Sequence, residues 1–194
     1  MAGFKYNLPP KEEQEERYDV STGLRRRGSY ILDVAGLPVG SFVPSFTPIV
    51  ADLVAKTAKI VVNALVVEKV ETAGTKVKIA KGSYVQAGTV LGTGTKGATV
   101  QSIDKSKADY DELTLAAAFG VMINVGDVLF EAKAGDGKEP KNVANSALYE
   151  THKVIEGINN VALLQRAFEI EPEKLVTPFS AKDKANLPHF QFNE

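Results

Sequence analysis

The side chains able to do chemistry are few, and their spacing does not assemble a site. There is no Cys, and the two His, His152 and His189, stand far apart in sequence. This excludes disulfides, a thiol nucleophile and a Cys-based zinc site. The densest acidic cluster is Asp104, Asp109, Asp111 and Glu112, interleaved with Lys105 and Lys107. A calcium loop needs oxygen ligands at tight alternate spacing around a central Gly, and that Gly is missing. Asp109 and Glu112 have the chemistry of a catalytic carboxylate pair, but no pattern places them in a cleft. The stretch Gly92-Thr-Gly94-Thr-Lys96-Gly97 has a phosphate loop's glycines without its Gly-Lys-Ser/Thr ending or a following helix. The residues therefore predict no catalytic group, no cofactor site and no metal site, and so no enzyme.

Net charge is −1, from 23 basic and 24 acidic residues, which lacks the basic excess of a nucleic-acid binder. The longest apolar run, residues 60–67, is interrupted by Asn63 and is too short to cross a membrane. The N-terminus shows no apolar signal core, so synthesis in the cytoplasm without export by the usual route is expected.

The elements that would position these residues read as mainly β, with little helix. Residues 1–50 differ from the rest. Pro9 and Pro10 precede a dense charge run at residues 11–17, and Pro38, Pro44 and Pro48 recur among Gly and Ser. Pro removes a backbone donor and biases its predecessor to extended geometry, so this region is read as an extended N-terminal arm. Its apolar residues, among them Phe4, Tyr6, Leu8, Tyr30, Phe42 and Phe46, are too many for a solvated linker. Residues 51–194 are read as a β-rich body, a small barrel or sandwich of short strands punctuated by Gly. Strands are expected around Val77 to Ile79, Leu113 to Leu115 and Val161 to Ile170. Ser180 and Asp183 outline a capping box for one short helical turn, stopped by Pro188.

The body contains an internal repeat, with residues 76–92 matching 114–130. The offset is 38 residues, as from Gly82 to Gly120 and from Gly88 to Gly126. Each copy reads as strand, Gly loop, Gly turn, strand. The four glycines are expected to be structural turns, and Val90 and Val128 equivalent core positions. Repeated turns of this kind around Lys105 resemble a lipoyl or biotinyl carrier domain. The gap from Leu91 to Lys105 is longer than the carrier hairpin, and no Met flanks the Lys.

As a whole the chain resembles the phage head fibre proteins carried by phages and prophages of Bacteroides-like bacteria. The resemblance is carried by Val77 through Gly92, Ser102 through Leu115, Val128 through Ala132, and the tail segments beginning at Ala147, Gln165 and Leu175. It implies a virion structural role on the outer capsid surface, with the major capsid protein and other virion proteins as partners. It also implies a homo-oligomer, a trimer in preference to a dimer, because symmetric copies multiply weak contacts. In this reading the arm is the anchor. Phe42 and Phe46 supply apolar contact, and Arg25, Arg26 and Arg27 pair with capsid carboxylates. The rival arrangement packs the arm on its own body and leaves residues 175–192 to touch the capsid. A carbohydrate-binding or adhesin-like β module is the alternative function, and a host-surface glycan stays open as a ligand of the distal face.

Overall fold

The computed structural model describes residues 17–193. The chain order is β1 (Asp19–Arg25), β2 (Tyr30–Asp33), β3 (Phe42–Val43), β4 (Pro48–Asp52), β5 (Thr57–Ile60) and β6 (Asn63–Leu65). Then follow β7 (Lys76–Ala80), β8 (Val90–Gly92), β9 (Gly97–Asp104), β10 (Tyr110–Leu115) and β11 (Val128–Glu131). The last third holds β12 (Ser146–Leu148), β13 (His152–Lys153), β14 (Asn160–Val161), β15 (Leu163–Ile170), α1 (Ala181–Ala185) and β16 (Phe190–Phe192). The protein is mainly β, with curled sheets that form a half-barrel and little helix.

Two sheets carry the architecture. The eight-stranded sheet runs β1-β15-β12-β4-β5-β2-β14, with β16 parallel to β15. It draws on both ends of the described chain. The six-stranded sheet runs β6-β11-β8-β9-β10-β7 and is built wholly from the middle. An isolated bridge between Val66 and Ile79 brings its two ends together. The middle segment is thus an insertion between β5 and β12.

Alternation explains the strands. In β7 Val77 and Ile79 point into the half-barrel while Lys76 and Lys78 point out. In β10 Asp111, Leu113 and Leu115 are the buried set. The half-barrel core holds Val77, Ile79, Val85, Leu91, Leu113, Leu115, Ile123 and Leu129. The large sheet has two clusters, one around Tyr30, Leu32, Ile49 and Leu163 and another around Phe46, Leu164, Ile170 and Phe190. The apolar run at residues 60–67 is not one strand. It divides between β5 and β6, and Val61 and Val62 serve different cores.

Residues 17–50, the described part of the expected separate arm, are woven into the sheets. β1 pairs with β15, β2 with β5 and β14, and β4 with β5 and β12. The boundary expected at residue 50 falls inside β4. The Pro-rich stretch can join because each Pro sits where its missing donor is not needed: Pro48 opens β4, and Pro44 lies in a bend whose carbonyl accepts from Thr47. Phe4, Tyr6, Leu8 and nearly all of the charge run lie outside the described residues.

The capping box at the C-terminal helix is complete: Ser180 Oγ accepts from Asp183 N–H, and the Asp183 carboxylate accepts from Ser180 N–H. That carboxylate also accepts from Asn63 Nδ2 (2.8 Å) and Ala144 N–H (2.7 Å). One buried acid therefore ties α1 to β6 and to the approach to β12.

Candidate functional site

The strongest local organisation is the repeat. Gly82 and Gly120 have φ of +84° and +74°, and Gly88 and Gly126 have φ of +88° and +90°, where L side chains are strained. Gly88 N–H donates to Val100 O (2.8 Å) and Val100 N–H donates to Thr89 O (2.9 Å). In the second copy Gly126 N–H donates to Val66 O and Val66 N–H to Asp127 O, both at 2.9 Å. The turn tips match too. Gln86 N–H donates to Thr89 Oγ1 in one, and Asn124 N–H donates to the Asp127 carboxylate in the other. Val90 and Val128 are equivalent but only half-buried; the core positions are the next residues, Leu91 and Leu129. Strand alternation places the Leu, not the Val, on the inner face.

The same turn has different neighbours in the two copies. Tyr84 of the first copy packs on the large-sheet core. Burial pushes its hydroxyl up to about 12, although the Thr47 side chain beside it pulls the other way. A side chain at Gly36 would strike Gln86, and one at Gly82 would strike Val176. In the second copy Met122 stands where Tyr84 stands in the first, and it is 52% exposed; Val125 is 62% exposed. Around Gly120 there is open space. Met122 borders a groove of about 490 Å³ whose lining includes Val128, Phe179, Asp127 and Lys184.

The acidic cluster disperses into structural pairs. Asp111 is buried and meets Lys81 Nζ at 2.6 Å, and the same ammonium donates to Lys105 O, pinning the β9–β10 hairpin to β7. Glu112 pairs with Lys76. Asp104 is held below the usual carboxylate range by the Ser106 hydroxyl and N–H. Asp109 and Lys105 are exposed on the hairpin tip. The Gly92–Gly97 stretch is the β8–β9 hairpin, with no helix after it. Gly92, Gly97 and Gly137 form a backbone-on-backbone contact that no Cβ would fit. His152 is bonded to the Asn159 carboxamide at 2.8 Å, and His189 is exposed. Among the described residues no group of three His, Asp or Glu side chains is placed to hold a metal ion. Among the described residues no helix is long and apolar enough to cross a membrane.

The structure does not bring the expected anchor residues together. Phe46 is 1% exposed and packs against Tyr18, Phe179 and Phe190, so it is a core residue and not a contact for a partner. Arg26 is spent internally, donating to Ser146 Oγ and the Asn145 carbonyl. Arg25 and Arg27 are exposed, with the Arg25 guanidinium over the Tyr149 ring. Phe42 is 62% exposed on the small β3–β13 ladder. Its neighbour Val43 belongs to the core under β2 and β14, at the sheet edge opposite β1. Sequence reading missed Arg17, whose guanidinium bonds Ser45 and the Lys174 carbonyl; its place at the end of a charge run gave no sign of this.

The head fiber protein family matches residues 2–193, nearly the whole chain, and the chain belongs to that family of phage structural proteins. Neither the curated proteins nor the solved structures contain a match.

Proposed function

We propose that this chain is a non-catalytic head fibre subunit that decorates the outer capsid surface, attached to the major capsid lattice and assembled as a trimer. The family match over residues 2–193 carries this reading. The dispersal of the acids into ion pairs and caps supports it. Attachment runs through the residues before β1 together with Arg25 and Arg27, which lie on and just after the edge strand β1. Edge strands and exposed guanidiniums suit a lattice contact: the strand offers unpaired backbone, and each Arg grips a carboxylate in two places. The body then points away from the shell. Phage protein of this kind is made in the host cytoplasm and joins the particle there.

The test is incorporation. Particles assembled with an Arg25→Ala, Arg27→Ala double variant should carry fewer fibre copies per capsid, and what remains should wash off with weaker dependence on salt. Copy number equal to wild type at every salt concentration would overturn this attachment site.

A further inference from the structure

Large apolar side chains gather on the outward face of the small ladder, whose strands β3 and β13 pair only with each other. Phe42 and its partner Lys153 face out, the ammonium lying over the ring. Val154 is buried, so alternation turns Ile155 out again. Gly40 N–H donates to Val154 O and Val154 N–H to Ser41 O, both at 2.8 Å, which sets Val39 beside them. Phe42, Val39, Ile155 and Ile158 are each at least half exposed.

The turn that carries the two Ile is held from beneath. The Asn159 carboxamide is buried. Its Oδ1 accepts from Ile155 N–H (2.9 Å), and its Nδ2 donates to the Ile155 and Gly157 carbonyls (3.0 Å each). His152 donates its Nε2–H to the same Oδ1, because that oxygen can only accept. A turn fixed this firmly under outward Ile side chains is preorganised for contact.

The described chain begins beside this face. Arg17 donates to Ser45 Oγ at 2.7 Å, and Ser45 N–H donates to Thr151 Oγ1, one residue before β13. From Ser45 to Gly40 is about 17 Å of strand. The stretch from Leu8 to Arg17 can span up to about 30 Å, so the residues before Leu8 reach the whole face. Phe4, Tyr6 and Leu8 alternate with Lys5 and Asn7, the period of a strand that lies along another. The charges match as well. Lys153 and Glu156 make no ion pair among the described residues, and the segment brings Lys5 together with Glu12, Glu13, Glu15 and Glu16. A tether this short gives the same chain's segment an effective concentration on the order of millimolar, which a second copy would have to match.

We propose that residues 4–8 seat on the β3–β13 face of their own chain, with Phe4, Tyr6 and Leu8 covering Phe42, Ile155 and Ile158. The contact leaves the charge run at residues 11–16 to the shell attachment proposed above and does not depend on it.

The chain contains no Trp and no Cys, so both reporters are clean. In a full-length Phe42→Trp variant the single indole reads the cover. Its emission should shift to longer wavelength when Phe4, Tyr6 and Leu8 are also replaced by Ser, with an unchanged circular dichroism spectrum. In parallel, a Tyr6→Cys, Ile155→Cys double variant should close an intrachain disulfide under mild oxidation, at a rate independent of protein concentration. It should close at least about tenfold faster than a Tyr6→Cys, Lys96→Cys control on the β8–β9 hairpin. An emission that does not move, or equal closure rates in the two Cys pairs, would overturn the seat. Disulfide-linked dimers whose yield grows with concentration would make the occupant another copy's segment and would overturn the same-chain contact.

Discussion

The half-barrel and the large sheet solve the same problem, pairing short strands, in opposite ways. In the half-barrel every strand finds its partners inside one continuous stretch, and the two repeat copies supply each other's edges. β7 pairs with β10 and β8 with β11, so equivalent strands meet across an internal two-fold relation. In the large sheet the pairings are distant: β1 lies on β15, and β12 on β4. Loop-closure entropy grows slowly with separation, so distant pairing costs only somewhat more, on the order of 1 kcal/mol, but it forms later and more slowly than local pairing. One region can hold its shape from local information; the other needs both ends of the described chain at once.

That contrast is sharpest under deletion. Removing residues 1–50 takes away β1, β2, β3 and most of β4, and should abolish the large sheet. Removing residues 1–16 should leave it intact. Circular dichroism and thermal melting of the two truncations measure this. A cooperative melt near the wild-type midpoint after loss of residues 1–50 would show that the sheet does not depend on β1 to β4.

A smaller effect tests the internal symmetry. Leu91→Ala and Leu129→Ala each empty an equivalent core position and should each cost about 2–5 kcal/mol, within about 1 kcal/mol of one another. Val90→Ala and Val128→Ala, being half-buried, should cost about 1 kcal/mol or less. Urea denaturation of the four variants gives the values. A large inequality between the two Leu sites would show that the matching hydrogen bonds do not produce matching packing.

The smallest effect lies where the two regions touch. The Tyr84 hydroxyl is raised in the folded state, so its stabilising contribution is present below about pH 10 and is lost as pH rises toward 12. Tyr84→Phe should therefore lose less stability than wild type between pH 9 and pH 11. Equal losses in denaturant titrations at the two pH values would show that Tyr84 is not titrating at that contact.

The same division governs what the sequence alone made legible. The repeat, its four turn glycines and the helix cap were readable because each is set by residues a few positions apart: Gly where φ is positive, Ser and Asp at capping distance. The incorporation of residues 17–50 into the sheet was not readable. Pro44 and Pro48 signalled an irregular chain, and nothing near them reveals that their partners lie beyond residue 140. Phe46 looked like a contact residue for the same reason, since its cage of Tyr18, Phe179 and Phe190 is assembled from remote segments.

The place of the insertion also fixes a timetable. As the chain leaves the ribosome, β2, β4 and β5 can pair early, and the half-barrel is complete once β11 emerges. β1 cannot be satisfied until β15 appears, since Asp19 is opposite Phe168. At about 5–20 residues per second that wait is on the order of 10–30 s. During it an edge strand bearing Val20 and Leu24 stays open to every neighbouring nascent chain. That hazard grows with the number of copies of the chain being made at once, which makes the interval before residue 168 the period when crowding or slow translation does most harm.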